Sequence, residues 1–358
     1  MSAQKIWMVA GGTGGHVFPG ITIAQALIKQ GIIVRWIGTP QGIESRVVPL
    51  FKIPCTFISA RPLRGQSRWR CLLNVCAMSV SLFQVMYELL RDRPQAIISM
   101  GGFVAAPVGL MAYFFRIPLI LHEQNAILGS TQRVLMRWAQ QCLAAYPNVF
   151  PDHLSPVVTG NPVRSSIGAI KKKRDMDHSK PLRCLVLGGS QGAHAINTMI
   201  SKAYLEMPSN ERPHLWHQTG AQDVQALQMA YQSDSKPVRV DAFIEEMAEA
   251  YAWADVVIAR SGAMTCAECR AVGLPTAWVP YPKAIDQHQL ANACYELQMN
   301  LGWIWLETDW DTQHVIEWWR YCQLHLQSLR TRGLEQCGPN ATDLIVQSIQ
   351  SMLITSVE

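Results

Sequence analysis

The chain has 358 residues, too many for one typical domain, so we expect two. Its net charge of +5 is too small to indicate nucleic-acid binding, although it suits an anionic ligand or an anionic membrane surface. The first apolar run is too short for a secretory signal, no window is apolar and long enough to span a bilayer, and the ten cysteines are scattered, which favours free thiols in a reducing cytosol.

In the N-terminal half, apolar segments alternate with helical patterns. A strand is predicted over residues 6–10, a glycine-rich turn follows it, and a helix is predicted over residues 21–30. Further strands are predicted over residues 32–37, 96–100 and 119–122. Strands that alternate with helices predict a parallel sheet with right-handed crossovers.

The charged stretch "KKKRDMDHSK", residues 171–180, predicts a surface segment near a domain boundary. A new cycle follows it, with a strand over 183–187, the turn "GGSQGA" and a helix over 195–204. Later strands are predicted over residues 238–243, 256–259 and 276–279. The repeated order of strand, glycine turn and helix predicts two similar α/β domains that face each other across a cleft, with ligands beyond the carboxyl ends of the strands.

Each glycine turn would expose backbone N–H groups at the start of a helix, where they attract phosphate. Neither turn matches the P-loop pattern. In the first turn Val17 stands where a dinucleotide fingerprint needs its third glycine, and the second strand ends without an acid for a ribose, so a nicotinamide enzyme is disfavoured. The alternative for either turn alone is a tight packing turn.

Polar residues after later strands suit a nucleotide–sugar ligand. Arg164 in "GNPVR" could reach a phosphate, and Glu268 follows "RSGAMTCA" on a helix, where a carboxylate could accept from a ribose diol. Gln289 in "IDQHQ" offers an amide to sugar hydroxyls. Taken singly, each has a simpler explanation as a helix cap, an exposed acid or a surface loop.

Six motifs together resemble the MurG family of bacterial UDP-N-acetylglucosamine:lipid I glycosyltransferases: "GGTGGHVFPG", "HEQNA", "GNPVR", "GGSQGA", "YAWADVVIARSGAMTCAE" and "VGLPTAWVPYP". The resemblance implies an α/β GT-B fold with two Rossmann-like domains. Residues 1–163 would form the membrane-associated acceptor domain and residues 164–340 the UDP-GlcNAc domain, with a last helix over 341–358 packing back onto the first. It further implies inverting transfer of GlcNAc to the C4 hydroxyl of undecaprenyl-pyrophosphoryl-MurNAc-pentapeptide (lipid I), giving lipid II for peptidoglycan.

By the same resemblance, Ile244 would lie against the uracil and Glu268 would bind the ribose. The full set of implied donor contacts is Thr13, Gly14, Gly15, Asn125, Arg164, Ser190, Ile244, Ala263, Met264, Thr265, Cys266, Ala267, Glu268 and Gln289. Three positions depart from the family pattern: Leu128 replaces the usual proline, Gln132 a common asparagine and His194 a frequent arginine.

His16 follows the first glycine turn, on the acceptor side. A neutral imidazole suits a general base, or a donor to substrate, although this histidine could instead only orient its loop. Glu123 is the reserve candidate for the base. Departing UDP would be stabilised by the helix start behind residues 188–193 and by Arg164, which leaves no required task for a metal or another cofactor.

Two kinds of metal motif have simpler explanations. Asp175 and Asp177 lie in the charged segment, while Asp309-Trp310-Asp311 suits the N-cap of a helix. The C-x-x-C pair of Cys266 and Cys269 has no second pair at zinc-ligand spacing, and we interpret it as two small residues on neighbouring helical turns.

An apolar segment within residues 61–93 is flanked by arginines and predicts a crossover helix with one face on the sheet. The arginines are Arg61, Arg64, Arg68, Arg70, Arg91 and Arg93. The same segment could add a basic, apolar surface that binds an anionic membrane leaflet. The resemblance implies a peripheral enzyme at the cytoplasmic face of the inner membrane, with other proteins of cell-wall assembly and division as partners. The alternatives are a soluble UDP-GlcNAc epimerase on the same fold and a non-catalytic nucleotide-sugar-binding protein.

Overall fold

Two parallel β-sheets organise the chain, one in each of two units. The computed structural model describes residues 4–61, 68–172, 181–189, 192–232, 238–299 and 302–355. One unit comprises Met1–Pro162 together with Pro339–Glu358, and the other comprises Val163–Gly338. The C-terminal residues therefore fold with the N-terminal half of the chain.

The strands are short, and all paired neighbours run parallel. In chain order they are β1 (Lys5–Val9), β2 (Ile33–Gly38), β3 (Cys55–Phe57), β4 (Ala96–Ser99), β5 (Leu119–Glu123), β6 (Gln141–Ala144), β7 (Val157–Val158), β8 (Arg183–Leu187), β9 (His214–Gln218), β10 (Val238–Asp241), β11 (Val256–Ala259), β12 (Thr276–Trp278) and β13 (Gly302–Ile304).

Both sheets have the doubly wound strand order. The first runs β3-β2-β1-β4-β5-β6-β7 and the second β10-β9-β8-β11-β12-β13. Each order reverses beside the unit's first strand, which is the Rossmann arrangement and confirms the predicted Rossmann-like domains. In such sheets ligands bind at the carboxyl edge near this reversal, which is where both glycine turns lie.

The α-helices connect the strands and end with one that returns to the first unit. In chain order they are α1 (Gly14–Lys29), α2 (Glu44–Val47), α3 (Arg68–Arg91), α4 (Ala105–Phe114), α5 (Ser130–Leu135), α6 (Ser165–Gly168), α7 (His194–Glu206), α8 (Val224–Tyr231), α9 (Met247–Trp253), α10 (Ala263–Val272), α11 (His288–Gln298), α12 (Thr312–Glu335) and α13 (Ala341–Thr355). Among the described residues, none of these helices has both the length and the apolar character of a membrane span.

Alternating residues of the central strands pack on the two faces of each sheet. In β8, Cys184 and Val186 join one apolar cluster while Leu185 and Leu187 join another, as the two-residue period of a strand requires. In the first unit, the core around Ile6 and Met8 also buries Ile345, Val346, Ile349 and Leu353 of α13. Their helical spacing gives α13 one apolar face, which binds the C-terminal segment to that unit.

The predicted strands over 183–187 and 256–259 match β8 and β11, and the other predicted strands shift by only a few residues. The first helix was predicted over residues 21–30, but α1 begins at Gly14, so that the glycine turn itself supplies the first helical residues. Pro19 lies within α1, in its second turn, where it cannot donate to the carbonyl of Gly15 as another residue would. The strands β3, β6 and β9 were not predicted, because their short sequences mix polar and apolar residues.

Candidate active site

The first glycine turn is fixed by a buried carboxylate that the sequence analysis missed. Glu44 is fully buried, and its Oε2 accepts from the N–H of Gly12 at 3.2 Å. Its Oε1 accepts from the N–H and the hydroxyl of Thr39 at 2.9 and 2.7 Å. A Cβ at Gly11 would lie only 2.5 Å from Glu44 Oε1, so the turn needs glycine there. The sequence analysis considered only an acid at the end of β2, where it could bind a ribose. Glu44 instead lies on α2, and its carboxylate accepts hydrogen bonds from the protein backbone.

A second glycine pair packs against the first turn. Gly101 and Gly102 follow β4 with φ of +94° and +83°. A Cβ at Gly102 would lie 2.5 Å from the carbonyl oxygen of Gly11, so the two backbones approach as closely as glycine permits. The absence of a side chain at Gly101 leaves space for the His16 ring.

His16 lies in the first turn of α1 and is half-buried. Its Nδ1 is 3.1 Å from the hydroxyl oxygen of Thr13, the N-cap residue, and its backbone N–H donates to the carbonyl of Thr13 at 3.1 Å. A Cβ at Gly101 would contact both the His16 ring, 3.4 Å from Cδ2, and the amide of Gln132, 3.7 Å from Nε2. The predicted base and the "HEQNA" region are therefore neighbours.

Glu123 ends β5 and is buried. Its Oε1 accepts from the backbone N–H and the side-chain amide of Asn125 at 3.0 and 3.2 Å, and its Oε2 accepts from the N–H of Gly129 at 3.0 Å. Burial raises the pKa of Glu123 above its ordinary value, while these hydrogen bonds act in the opposite direction. Both oxygens of this carboxylate therefore accept hydrogen bonds from its own loop.

Gln132, one of the departures from the family pattern, is buried and fully used. Its Nε2 donates to the carbonyls of Ser99 and His122 at 3.3 and 3.0 Å, and its Oε1 accepts from the Ser99 hydroxyl at 3.3 Å. Leu128, another departure, is also buried. Both departures from the family pattern are therefore buried in the packing of the first unit.

The "HEQNA" loop is tied to the "GNPVR" loop. Burial lowers the pKa of His122 to about 4, so the ring is neutral near pH 7. Its Nε2–H can then donate to the carbonyl of Gly160 at 3.1 Å, while Nδ1 accepts from the Gln124 amide at 3.2 Å. Asn161 Nδ2 donates to the carbonyl of Gln124 at 2.9 Å. Gly160 and Asn161 are therefore tied to the "HEQNA" loop at the edge of the first sheet.

The second glycine turn follows β8. Gly189 and Gly192 have φ of +81° and +78°, and a Cβ at Gly192 would lie 2.6 Å from the carbonyl oxygen of Thr219. The Gln218 amide donates to the carbonyl of Gly189 at 2.9 Å. The turn thus packs on the end of β9, directly before α7; Ser190, the predicted donor contact within it, lies outside the described residues.

Glu268 is not an exposed helix acid. It is only 8% exposed on α10, where its Oε1 pairs with Nη2 of Arg164 at 3.2 Å and its Oε2 accepts from the hydroxyl of Tyr251 at 3.0 Å. Burial raises the pKa of Glu268 above its ordinary value, and the Arg164 charge opposes this shift. Tyr251 is a site residue that the sequence analysis quoted in a motif but assigned no role.

The start of α10 gathers most of the remaining predicted donor contacts. Ala263, Cys266 and Ala267 are buried, whereas Met264 and Thr265 are half-buried. The Ser261 hydroxyl donates to the carbonyl of Gln289 at 2.8 Å, which brings the "IDQHQ" segment beside this helix start. Gln289 Oε1 accepts from the N–H of Tyr281 at 2.9 Å.

Ile244, the residue expected to lie against the uracil, is buried. Its side chain is only 4% exposed and packs in an apolar cluster with Tyr251 and Cys266, so little of it can meet a base. The adjacent Phe243 is exposed. A uracil at this position would contact chiefly the backbone of Ile244.

The candidate metal motifs that lie within the described residues are parts of helices. Asp311 is the N-cap of α12 and its Oδ1 accepts from the N–H of His314 at 2.9 Å, which confirms the predicted cap. Cys266 and Cys269 are buried free thiols on α10. Within the described ranges, no three His, Cys, Asp or Glu side chains form a group that could hold a metal ion. Asp175 and Asp177 lie outside those ranges.

Comparison with known proteins identifies both units. The glycosyltransferase family 28 N-terminal domain model matches residues 6–144, and the family 28 C-terminal domain model matches residues 183–347. The chain is 39% identical over 318 residues to the UDP-N-acetylglucosamine–N-acetylmuramyl-(pentapeptide) pyrophosphoryl-undecaprenol N-acetylglucosamine transferase of Coxiella burnetii, covering 88% of each chain. It is 42% identical over 292 residues to the enzyme of the same name from Alkalilimnicola ehrlichii, covering 81% of this chain and 82% of the relative. The crystal structure of Acinetobacter baumannii MurG superposes with a TM-score of 0.81 at 32% identity, over 97% of this chain and 99% of that one.

Proposed function

The chain belongs to the MurG family of glycosyltransferases, and on that premise we propose that it transfers N-acetylglucosamine from UDP-GlcNAc to the C4 hydroxyl of the N-acetylmuramyl sugar of lipid I. The product is lipid II, the disaccharide precursor of peptidoglycan. The structural observation that carries this proposal is the buried Glu268, which is paired with Arg164 and Tyr251. These partners hold its carboxylate in an orientation that can accept hydrogen bonds from the hydroxyl groups of a ligand.

The second unit binds the donor. Glu268 accepts from the ribose hydroxyls, and the guanidinium of Arg164, whose side chain is 43% exposed, faces the diphosphate. The backbone N–H groups at the start of α10, over residues 263–267, add partial positive charge. Uracil lies on the backbone of Ile244, and Gln289 adds a further contact. Ser190, outside the described residues, stays a predicted contact. Thr13, Gly14, Gly15 and Asn125 of the first unit stay predicted donor contacts, as the resemblance implies.

The first unit supplies the base. With the Thr13 hydroxyl accepting the Nδ1 proton of His16, the lone pair lies on Nε2. Nε2 takes the proton of the acceptor C4 hydroxyl, while the oxygen of that hydroxyl forms a bond to C1 of GlcNAc. The bond from C1 to the β-phosphate oxygen breaks at the same time, and UDP leaves with the electron pair. One displacement inverts C1 and gives a β-1,4 link.

The departing diphosphate gains negative charge as this bond breaks. Groups that are already aimed at that charge lower the barrier, because they need no reorganisation. Arg164, the helix starts and the glycine turn of the second unit supply such groups. The proposed step therefore requires no metal ion or other cofactor.

The first unit also carries a surface suited to lipid. On α3 the apolar side chains at spacings of three and four residues are exposed: Val80, Phe83, Tyr87 and Leu90, with Phe83 67% and Leu90 72% exposed. Helix α4 packs beside α3 and adds exposed Tyr113 and Phe114. Arg91, Arg93 and Arg116 are exposed at the ends of these helices. Arg64 and the side chains of Arg68 and Arg70 lie outside the described residues.

We propose that this apolar stripe with its basic ends binds the anionic cytoplasmic leaflet of the inner membrane. A basic amphipathic surface binds such a leaflet by apolar burial and by charge together. The enzyme would then meet its lipid-linked acceptor, and other proteins of wall assembly and division, at the membrane surface.

The proposal is tested by incubating the purified protein with labelled UDP-GlcNAc, with and without a lipid I analogue, in the presence of a chelator. Label that enters the analogue, and only when the analogue is present, supports the transferase. Epimerised or hydrolysed sugar nucleotide formed without the analogue would instead support an epimerase or a hydrolase. Tight binding with no turnover in any arm would support a non-catalytic binding protein.

A further inference from the structure

An exposed histidine begins α7, directly behind the second glycine turn. The side chain of His194 is 84% exposed, and its Nδ1 is 3.0 Å from Oδ2 of Asp223. Asp223 lies in the loop after β9, the strand next to β8. The pair therefore sits at the carboxyl edge of the second sheet, beside the turn that the proposed function gives to the diphosphate.

Asp223 is fixed by a buried network, so the orientation of His194 is not arbitrary. Asn197 Nδ2 donates to Asp223 Oδ2 at 2.7 Å and to the carbonyl of Thr219 at 2.8 Å. The Asn197 hydrogen bond is the main reason that the pKa of Asp223 is below its ordinary value. The carboxylate is therefore ionised and acts as an acceptor, and the imidazole donates its Nδ1 proton to it.

Asn197 is itself held by a neutral histidine. Burial lowers the pKa of His217 to about 3, so that Nε2–H donates to Asn197 Oδ1 at 3.1 Å while Nδ1 accepts from Tyr231 at 3.2 Å. The chain of contacts runs from the core of the second unit to an exposed ring. This series of hydrogen bonds orients the exposed ring, because Nδ1 faces Asp223 and Nε2 therefore faces outward.

We propose that His194 donates from Nε2 to the diphosphate of the sugar nucleotide, in place of the arginine that the family pattern frequently has there. This inference rests on the proposed function. A protonated imidazole donates at both nitrogens, so that Nδ1–H meets the Asp223 carboxylate and Nε2–H meets the diphosphate.

The contact is a charge-assisted hydrogen bond to a group that gains charge during the reaction. It should therefore contribute to donor affinity and also to the rate of transfer. An arginine at position 194 would offer the same charge with a longer reach, whereas alanine or glutamine would not offer it.

The test compares His194→Ala, His194→Gln and His194→Arg with the wild-type enzyme. Calorimetry measures the affinity of each for UDP-GlcNAc and for uridine, which lacks the diphosphate, and a transfer assay measures kcat and KM. We expect roughly tenfold or greater weakening for UDP-GlcNAc in the alanine and glutamine variants, since a charged hydrogen bond is lost, with uridine affinity unchanged. The arginine variant should regain most of the loss, and Asp223→Asn should weaken binding in the same direction.

The matched control is His314→Ala. His314 is 56% exposed in the first turn of α12 and pairs with Asp311 at 2.8 Å, so it repeats the local arrangement away from the glycine turn. Its loss should leave both affinities unchanged. Equal affinities of wild-type and His194→Ala protein for UDP-GlcNAc would overturn the inference, as would equal losses for uridine. A wild-type protein that binds neither ligand would instead overturn the proposed function, so the two failures are distinguishable.

Discussion

The hydroxyl of Tyr251 donates a 3.0 Å hydrogen bond to Oε2 of Glu268, and both side chains are buried. Burial raises the pKa of Tyr251 well above its ordinary value, so the hydroxyl keeps its proton and remains the donor. Arg164 contacts the other carboxylate oxygen. The carboxylate proposed to bind ribose is thus oriented from two sides before any nucleotide arrives.

Removal of this donor should weaken donor binding without altering the chemistry. We expect Tyr251→Phe to raise KM for UDP-GlcNAc about three- to tenfold with little change in kcat, because one hydrogen bond to a charged group is lost in the ground state and the transition state alike. Steady-state kinetics measure the split. The exposed Tyr321 of α12, changed to Phe, is the control, and a fall in kcat alone for Tyr251→Phe would contradict a positioning role.

His16 should behave in the opposite way. His16→Ala is expected to lower kcat about 100-fold or more, as the loss of a general base does, while the dissociation constant of UDP-GlcNAc stays near the wild-type value. Calorimetry and single-turnover kinetics separate the two quantities. His153→Ala removes an exposed histidine of the same unit and should change neither. Normal turnover in His16→Ala would remove His16 from the mechanism.

Because His122 is buried as a neutral ring, the folded protein should become less stable as pH falls. Its pKa is lowered to about 4 in the folded protein, against about 6.5 in an unfolded chain. As pH falls, the unfolded state therefore binds the proton before the folded state does. The free energy of unfolding keeps its full value above about pH 6.5 and decreases as pH falls from there through about 4. Urea unfolding at a series of pH values should show this decline, and His122→Gln should flatten it by about one proton. An equal pH slope in the variant, with His153→Gln as control, would contradict this assignment.

The apolar stripe on α3 should govern membrane binding but not chemistry. Phe83→Glu or Leu90→Glu is expected to weaken binding to vesicles rich in phosphatidylglycerol roughly tenfold, since a buried apolar side chain of this size contributes about 1.5–3 kcal/mol. Turnover with a water-soluble acceptor should be unchanged. Leu324→Glu changes an equally exposed leucine of α12 in the other unit and is the control for added charge. Undiminished vesicle binding in both α3 variants would place the membrane surface elsewhere.

The fold was largely predictable because its central strands are continuous apolar runs. β8 and β11 were predicted with their observed bounds, since "RCLVL" and "VVIA" are buried on both faces. β9 was not, because "HLWHQ" contains His217 and Gln218, which are tolerated inside only through partners such as Asn197 and Gly189. Those partners lie on other elements, so no local pattern indicates them.

The candidate site shows the same limit. Glu268 could be proposed from its place after a strand and a glycine-containing turn, but the buried pairing with Tyr251 depends on how α9 and α10 pack. Glu44 is 32 residues from Gly12, and its hydrogen bond to that turn follows only from the folded path of the chain. Motifs thus identify the groups that meet substrate, whereas the residues that orient those groups need the tertiary structure.

The anomeric configuration of the product tests the central claim most directly. The enzyme is given UDP-GlcNAc and a lipid I analogue, and the linkage of the purified product is determined by NMR. A β-1,4-linked GlcNAc on the MurNAc sugar is the result that a single inverting displacement predicts. An α link, or a free or epimerised sugar with the acceptor unchanged, would contradict the account.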